Sequence, residues 1–146
     1  MSLGEESRRK FCDAIVLVIR DVDAIAGVGA VSHVVDHGQE ATLEEVGPDV
    51  EQPPGYLMIC GHSGGGLEWE GYGASWQSYV VSAARSVQHS LLEDDYYWGK
   101  PFPPCSAHPD HSLVPVVVDG KACWACPNGT VNPIEIGQLA KATRPQ

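Results

Sequence analysis

The chain has 146 residues, 43% of them hydrophobic, and a formal net charge of −10 at pH 7. That length is one ordinary domain with room for a real core. The charge argues against anionic membrane surfaces and against nucleic acid, whose binding by counterion release needs clustered Lys and Arg, whereas Arg8-Arg9-Lys10 is the one cationic cluster and is flanked by Glu5 and Glu6.

From Glu5 to about Ala26, Phe11, Ile15, Val18, Val22 and Ile25 recur at steps of four and three. That spacing predicts a helix with one apolar face, with Lys10, Asp13, Arg20 and Asp21 largely elsewhere. The β-branched run Ile15–Ile19 keeps a buried strand as the competitor. Three basic residues precede this segment, but Arg20-Asp21 follows where a small-residue cleavage site would fall, so it is expected to belong to the folded domain. No apolar run approaches the roughly 20 residues that span a bilayer, and a cytoplasmic protein is expected.

Gly27 and Gly29 break the helix, and "AVSHVVDHG" follows as a short helical or extended piece. His33 and His37 have a spacing that could hold a metal on a helix; with no third ligand in sight, they read as a helix-end pair. Residues 39–55, acidic and rich in Pro and Gly, read as an irregular connector. Tyr56 to Cys60, a glycine-rich turn over Gly61–Gly66, and the alternating "LEWEG" then predict a hairpin.

Within it, Gly61-His62-Ser63-Gly64-Gly65 fits G-x-S-x-G, the nucleophile elbow of serine hydrolases. That elbow needs a helix after the serine, and here a strand is predicted. Ser63 is therefore read as part of a glycine turn.

Ser75 is a good N-cap for a helix whose apolar face carries Trp76, Val80, Ala83, Val87 and Leu91, with Gln77, Arg85, Gln88 and Glu93 as a wet face. Tyr96-Tyr97-Trp98, with Phe102 near, reads as a packing seam in preference to an exposed recognition patch. Val116–Val118 and Lys121–Trp124 around Asp119-Gly120 predict a second hairpin. Asn132-Pro133-Ile134-Glu135 carries three helix-start signals, predicting a short helix through Leu139.

The chemistry lies in "CSAHPDH" and "CWACPNG": Cys105, His108 and His111, then Cys123 and Cys126. A C-x-x-H pair and a C-x-x-C pair stand fourteen residues apart. Zinc takes four such ligands in a tetrahedron, and a two-residue gap lets a tight turn aim two side chains at one ion. Over residues 105–129 the pattern resembles the zinc ribbon, two knuckles joined by a β-hairpin, with a histidine in place of the commoner cysteine. Five candidates compete for four places. Either Cys105, His108, Cys123 and Cys126 bind, or His111 replaces Cys123, since residues three apart in a strand face opposite ways. Cys12 and Cys60 read as small buried hydrophobes.

Pro104-Cys105-Ser106-Ala107-His108 partly matches zinc deaminases, but no H-x-E supplies the proton-shuttling glutamate. One structural zinc per chain is expected. The chain should thus be a small α+β protein with two main helices and short antiparallel hairpins, comprising an α+β core region over 1–100 and a zinc-ribbon-like module over 101–146 in one compact domain. A non-enzymatic interaction or regulatory role is expected, with a protein partner whose identity the sequence does not give. The alternative is a metal-dependent hydrolase with an open zinc site near His108 and His111, and a subunit of a larger assembly is the third reading.

Overall fold

The computed structural model describes residues 3–27, 29–34, 56–66, 75–94, 98, 100–108 and 110–143. The N-terminal segment is a helix, α1 (Leu3–Ala26), and its four-and-three spacing succeeds: Phe11, Ile15, Val18 and Val22 have no exposed surface. Val16 lies on the other face, 61% exposed, so the β-branched run does not make a strand. Gly27, at φ 93, ends the helix by donating to the Asp23 carbonyl at 2.9 Å, an αL cap that glycine adopts without strain.

Three short strands follow in one antiparallel sheet, β1 (Val31–Val34), β2 (Tyr56–Ile59) and β3 (His62–Gly66), in the order β1-β2-β3. The segment bearing His33 is thus extended, and His37 lies outside the described residues. The hairpin turn is shorter and earlier than expected. It is made by Cys60 (φ 50) and Gly61 (φ 89), the paired positive φ of a type I′ turn whose twist matches the strands. Glycines 64–66 therefore lie in β3. Ser63, expected in the turn, instead lies in that strand, paired with Met58. The "LEWEG" strand falls outside the described residues. Cys60 is exposed at the turn and Cys12 half-buried, so neither is the fully buried thiol expected.

Helix α2 (Trp76–Leu92) starts on Ser75, whose hydroxyl accepts from the Ser78 amide at 3.3 Å. It packs along α1, burying Tyr79, Val80, Ala83, Ala84, Val87 and Leu91. Trp76, expected on the apolar face, is 44% exposed at the helix start. Gln88, expected on the wet face, is buried. Its amide donates to the carbonyls of Phe102, at 2.9 Å, and of Leu113. These two backbone carbonyls hold it there. Three turns earlier, Gln77 accepts from the Ala122 amide at 2.7 Å, so two glutamines on one helix dock the C-terminal third. Gln88→Leu leaves both carbonyls without a donor, at about 1–3 kcal/mol per buried group. The expected loss is roughly 3 kcal/mol in a urea titration, with helix content retained.

The second sheet contains β4 (Val114–Val118), β5 (Lys121–Ala125) and β6 (Ile134–Glu135), ordered β4-β5-β6 and antiparallel. The Asp119-Gly120 turn has both residues at positive φ, 51 and 79, as its sequence predicts. The C-terminal helix signals mislead. Ile134 and Glu135 pair with Trp124 and Cys123 as a third strand, because the free edge of β5 offers backbone bonds that override a local cap. The helix, α3 (Leu139–Thr143), begins later.

Asp21, expected off the apolar face, is fully buried. Its carboxylate accepts from Trp124 Nε1 and the Gly137 amide, both at 2.7 Å, and from the Leu139 amide at 3.1 Å. One side chain of α1 thereby ties β5 to the entry of α3. Gly137, at φ 100, comes so near α1 that a Cβ there would stand 2.5 Å from Leu17 Cδ1. Trp98, Phe102 and Trp124 stack edge to face, with centroids 6.0 and 5.4 Å apart. Trp98 is thus a seam residue, while Tyr96 and Tyr97 lie outside the described residues. Buried residues from Phe11 to Leu139 form a single cluster. Among the described residues, no helix is long and apolar enough to cross a membrane.

Candidate metal centre

Two loops at one end of the second sheet build the site. The first runs from Pro103 to Leu113 and folds back on itself. Leu113 N donates to Pro103 O at 2.8 Å, Phe102 N to Ser112 Oγ at 3.1 Å, and Cys105 N to His111 O at 3.0 Å. Inside it, His108 N donates to Cys105 O at 3.1 Å. That tight turn brings two side chains separated by two residues to one side. The second loop leaves the end of β5 at Cys126 and closes when Gly129 N donates to Cys126 O at 3.0 Å. Gly129 takes φ 70, which accounts for the glycine in C-P-N-G.

The loops bring together Cys105, His108 and Cys126, whose ligand atoms all lie within 4.8 Å of one another. His108 Nδ1 is 3.6 Å from Cys105 Sγ and 3.7 Å from Cys126 Sγ. A tetrahedral ion with bonds of about 2.3 Å to sulfur and 2.0–2.1 Å to nitrogen sets sulfur and nitrogen about 3.5 Å apart, close to both distances. Hydrogen bonding alone fits less well, because one ring nitrogen handles one proton yet stands equally near two sulfurs. Both cysteines are buried and His108 half-buried. This is a possible Cys-His-Cys metal site beside a three-stranded antiparallel sheet.

Cys126 has its thiol pulled down to about 6. The Thr130 backbone N–H is the main cause, opposed by burial and aided by the Asn128 N–H, the Thr130 hydroxyl and the Cys105 thiol. Donors aimed at sulfur favour the thiolate, which is the form that ligates metal. Cys123 moves the other way, its thiol raised by burial and by the nearby Glu135 carboxylate. It sits within β5 opposite Val116 and Glu135 and is not in the 4.8 Å group. His111 is also outside that group, yet its ring stacks on that of His108 at a centroid distance of 5.8 Å and an interplanar angle of 25°, and it is exposed.

The supporting residues were hidden from sequence reading. Asn128 and Thr130 follow Cys126 as ordinary turn residues, and only C-P-N-G marks a tight turn. Gln88, Gln77 and Asp21 are polar residues on helices, with no sequence signal that buried groups await them. No family model, curated protein or solved structure matches the chain. What stands over residues 105–129 is the Cys105, His108 and Cys126 triad beside a three-stranded antiparallel sheet.

Proposed function

We propose that this is a small zinc-binding protein in which one structural zinc per chain fixes the C-terminal module. Cys105, His108 and Cys126 are three ligands and His111 is the fourth. The observation that carries the reading is the position of His108 Nδ1, 3.6 and 3.7 Å from the two sulfurs. Zinc suits two thiolates with imidazole in a tetrahedron. His111 is favoured over Cys123 because it is exposed on the same loop as two ligands, while Cys123 is fixed in a paired strand. Four protein ligands close the shell and fit a non-enzymatic interaction or regulatory role in the cytoplasm, with a protein partner.

A second reading, a metal-dependent hydrolase, is favoured by one observation: three ligating groups stand together, which leaves a fourth position for water. Cobalt substitution separates the two. Cobalt in the intact protein is expected to give intense tetrahedral bands with thiolate charge transfer, weakened in His111→Ala and unchanged in Cys123→Ser. Spectra unaffected by His111→Ala, with a titratable bound water, would favour the open site instead.

A further inference from the structure

Beside the metal loops lies an apolar pocket of about 230 Å³. Ile25 of α1, Leu139 of α3, Leu113 just before β4 and Ile134 of β6 form part of its wall. The remaining wall comes from the metal loops. Pro104 and Ser106 flank Cys105 on either side, while Val131 and Asn132 follow directly on the turn that holds Cys126. Ile25, Val131 and Ile134 are half-buried and pack against the core from this side.

The chemistry of the lining selects the occupant. Among the described residues no charged side chain lines it, in a chain of net charge −10, so an ion would gain no partner there in exchange for its lost hydration. Ser106 and Asn132, both exposed, are its polar side chains, enough to orient one polar group at the mouth. An apolar protein cavity of about 150 Å³ accepts benzene, so this volume suits a somewhat larger ring system. We propose that the pocket is a binding site for a small neutral ring compound, between benzene and a fused two-ring molecule in size. The site rests on the metal reading for the rigidity of the two loop walls, each hung from a metal ligand.

The test is an indole titration of the zinc-loaded full chain, followed by carbon–proton spectra of labelled Ile, Leu and Val methyls. Saturable shifts are expected at Ile25, Leu113, Val131, Ile134 and Leu139. Ile25→Phe and Val131→Phe, which fill the space from two different elements, should each weaken binding at least tenfold with zinc content unchanged. Two variants guard against one failing to fold. Absent or non-saturating shifts in a protein holding one zinc overturn the proposal, as do shifts that neither variant alters. Saturable binding at these methyls in a protein that holds no zinc upholds the pocket while refuting the metal reading, so the two failures are distinct. If zinc is bound, its chelation should weaken indole binding, and affinity unaffected by chelation overturns the metal's part in shaping the walls.

Discussion

Cys126→Ser is expected to purify with essentially no zinc, and to melt where the chelated wild type melts. The serine hydroxyl is a far weaker ligand than a thiolate, so a single exchange breaks the Cys-His-Cys set. The stability at stake follows from linkage. A metal that binds the folded state alone, at about 1,000 times its Kd, contributes about 4 kcal/mol. For a chain of 146 residues that corresponds to a fall of roughly 12 °C in Tm. A strong chelator added to the wild type should produce the same fall, reversed by zinc, and should leave Cys126→Ser unmoved. Cys123→Ser is the control. It lies outside the triad, so it should keep one zinc and its sensitivity to chelator, with a modest loss for the altered packing of a buried thiol. Elemental analysis alongside differential scanning calorimetry checks all three. A wild type that holds no metal and ignores the chelator refutes the site.

Those contrasts turn on what sequence spacing conveys. The faces of α1 and α2 were legible because apolar residues recur at helical period, and Asp119-Gly120 because few residue pairs accept two positive φ angles. The cysteine and histidine cluster was legible because two-residue gaps suit a tight turn. Cys123 and Cys126 show the limit. Their C-x-x-C spacing is that of a knuckle, yet β5 extends through Cys123, and the loop that aims a sulfur at His108 begins at Cys126. Where a strand ends decides which sulfur reaches His108, and strand ends are set by partners: Glu135 and Ile134 pair with β5 despite a cap signal for helix. Gln88 fails differently. Its period places it correctly on α2, but the carbonyls of Phe102 and Leu113 that bury it come from distant sequence. Polar residues reveal their burial only when their partners are known.

Asp21→Ala is expected to be the most damaging substitution away from the metal loops, costing about 4 kcal/mol. The carboxylate is fully buried and receives three N–H groups, from Trp124, Gly137 and Leu139. Each donor left without an acceptor costs about 1–3 kcal/mol, and partial relaxation keeps the total below their sum. Asp21→Asn should fall between, since one oxygen remains to accept while the new NH₂ faces at least one of the same donors. The pH dependence separates this carboxyl from a merely packed side chain. Burial raises its pKa above 3.8, against the pull of the three donors and of Arg20. The folded state then takes up the proton before the unfolded chain does as pH falls, so the contribution of Asp21 grows between its raised value and 3.8, and is lost as pH rises back through that window. The gap between wild type and Asp21→Ala, measured by urea titration from pH 7 downward, should widen on entering that window and level off below it. A gap that narrows on acidification would mean that the donors outweigh burial and that the carboxylate is held ionised. Zinc content, read at neutral pH, should stay at one per chain in Asp21→Ala wherever the variant is folded, because Asp21 is not among the ligating groups and acts on β5 and α3.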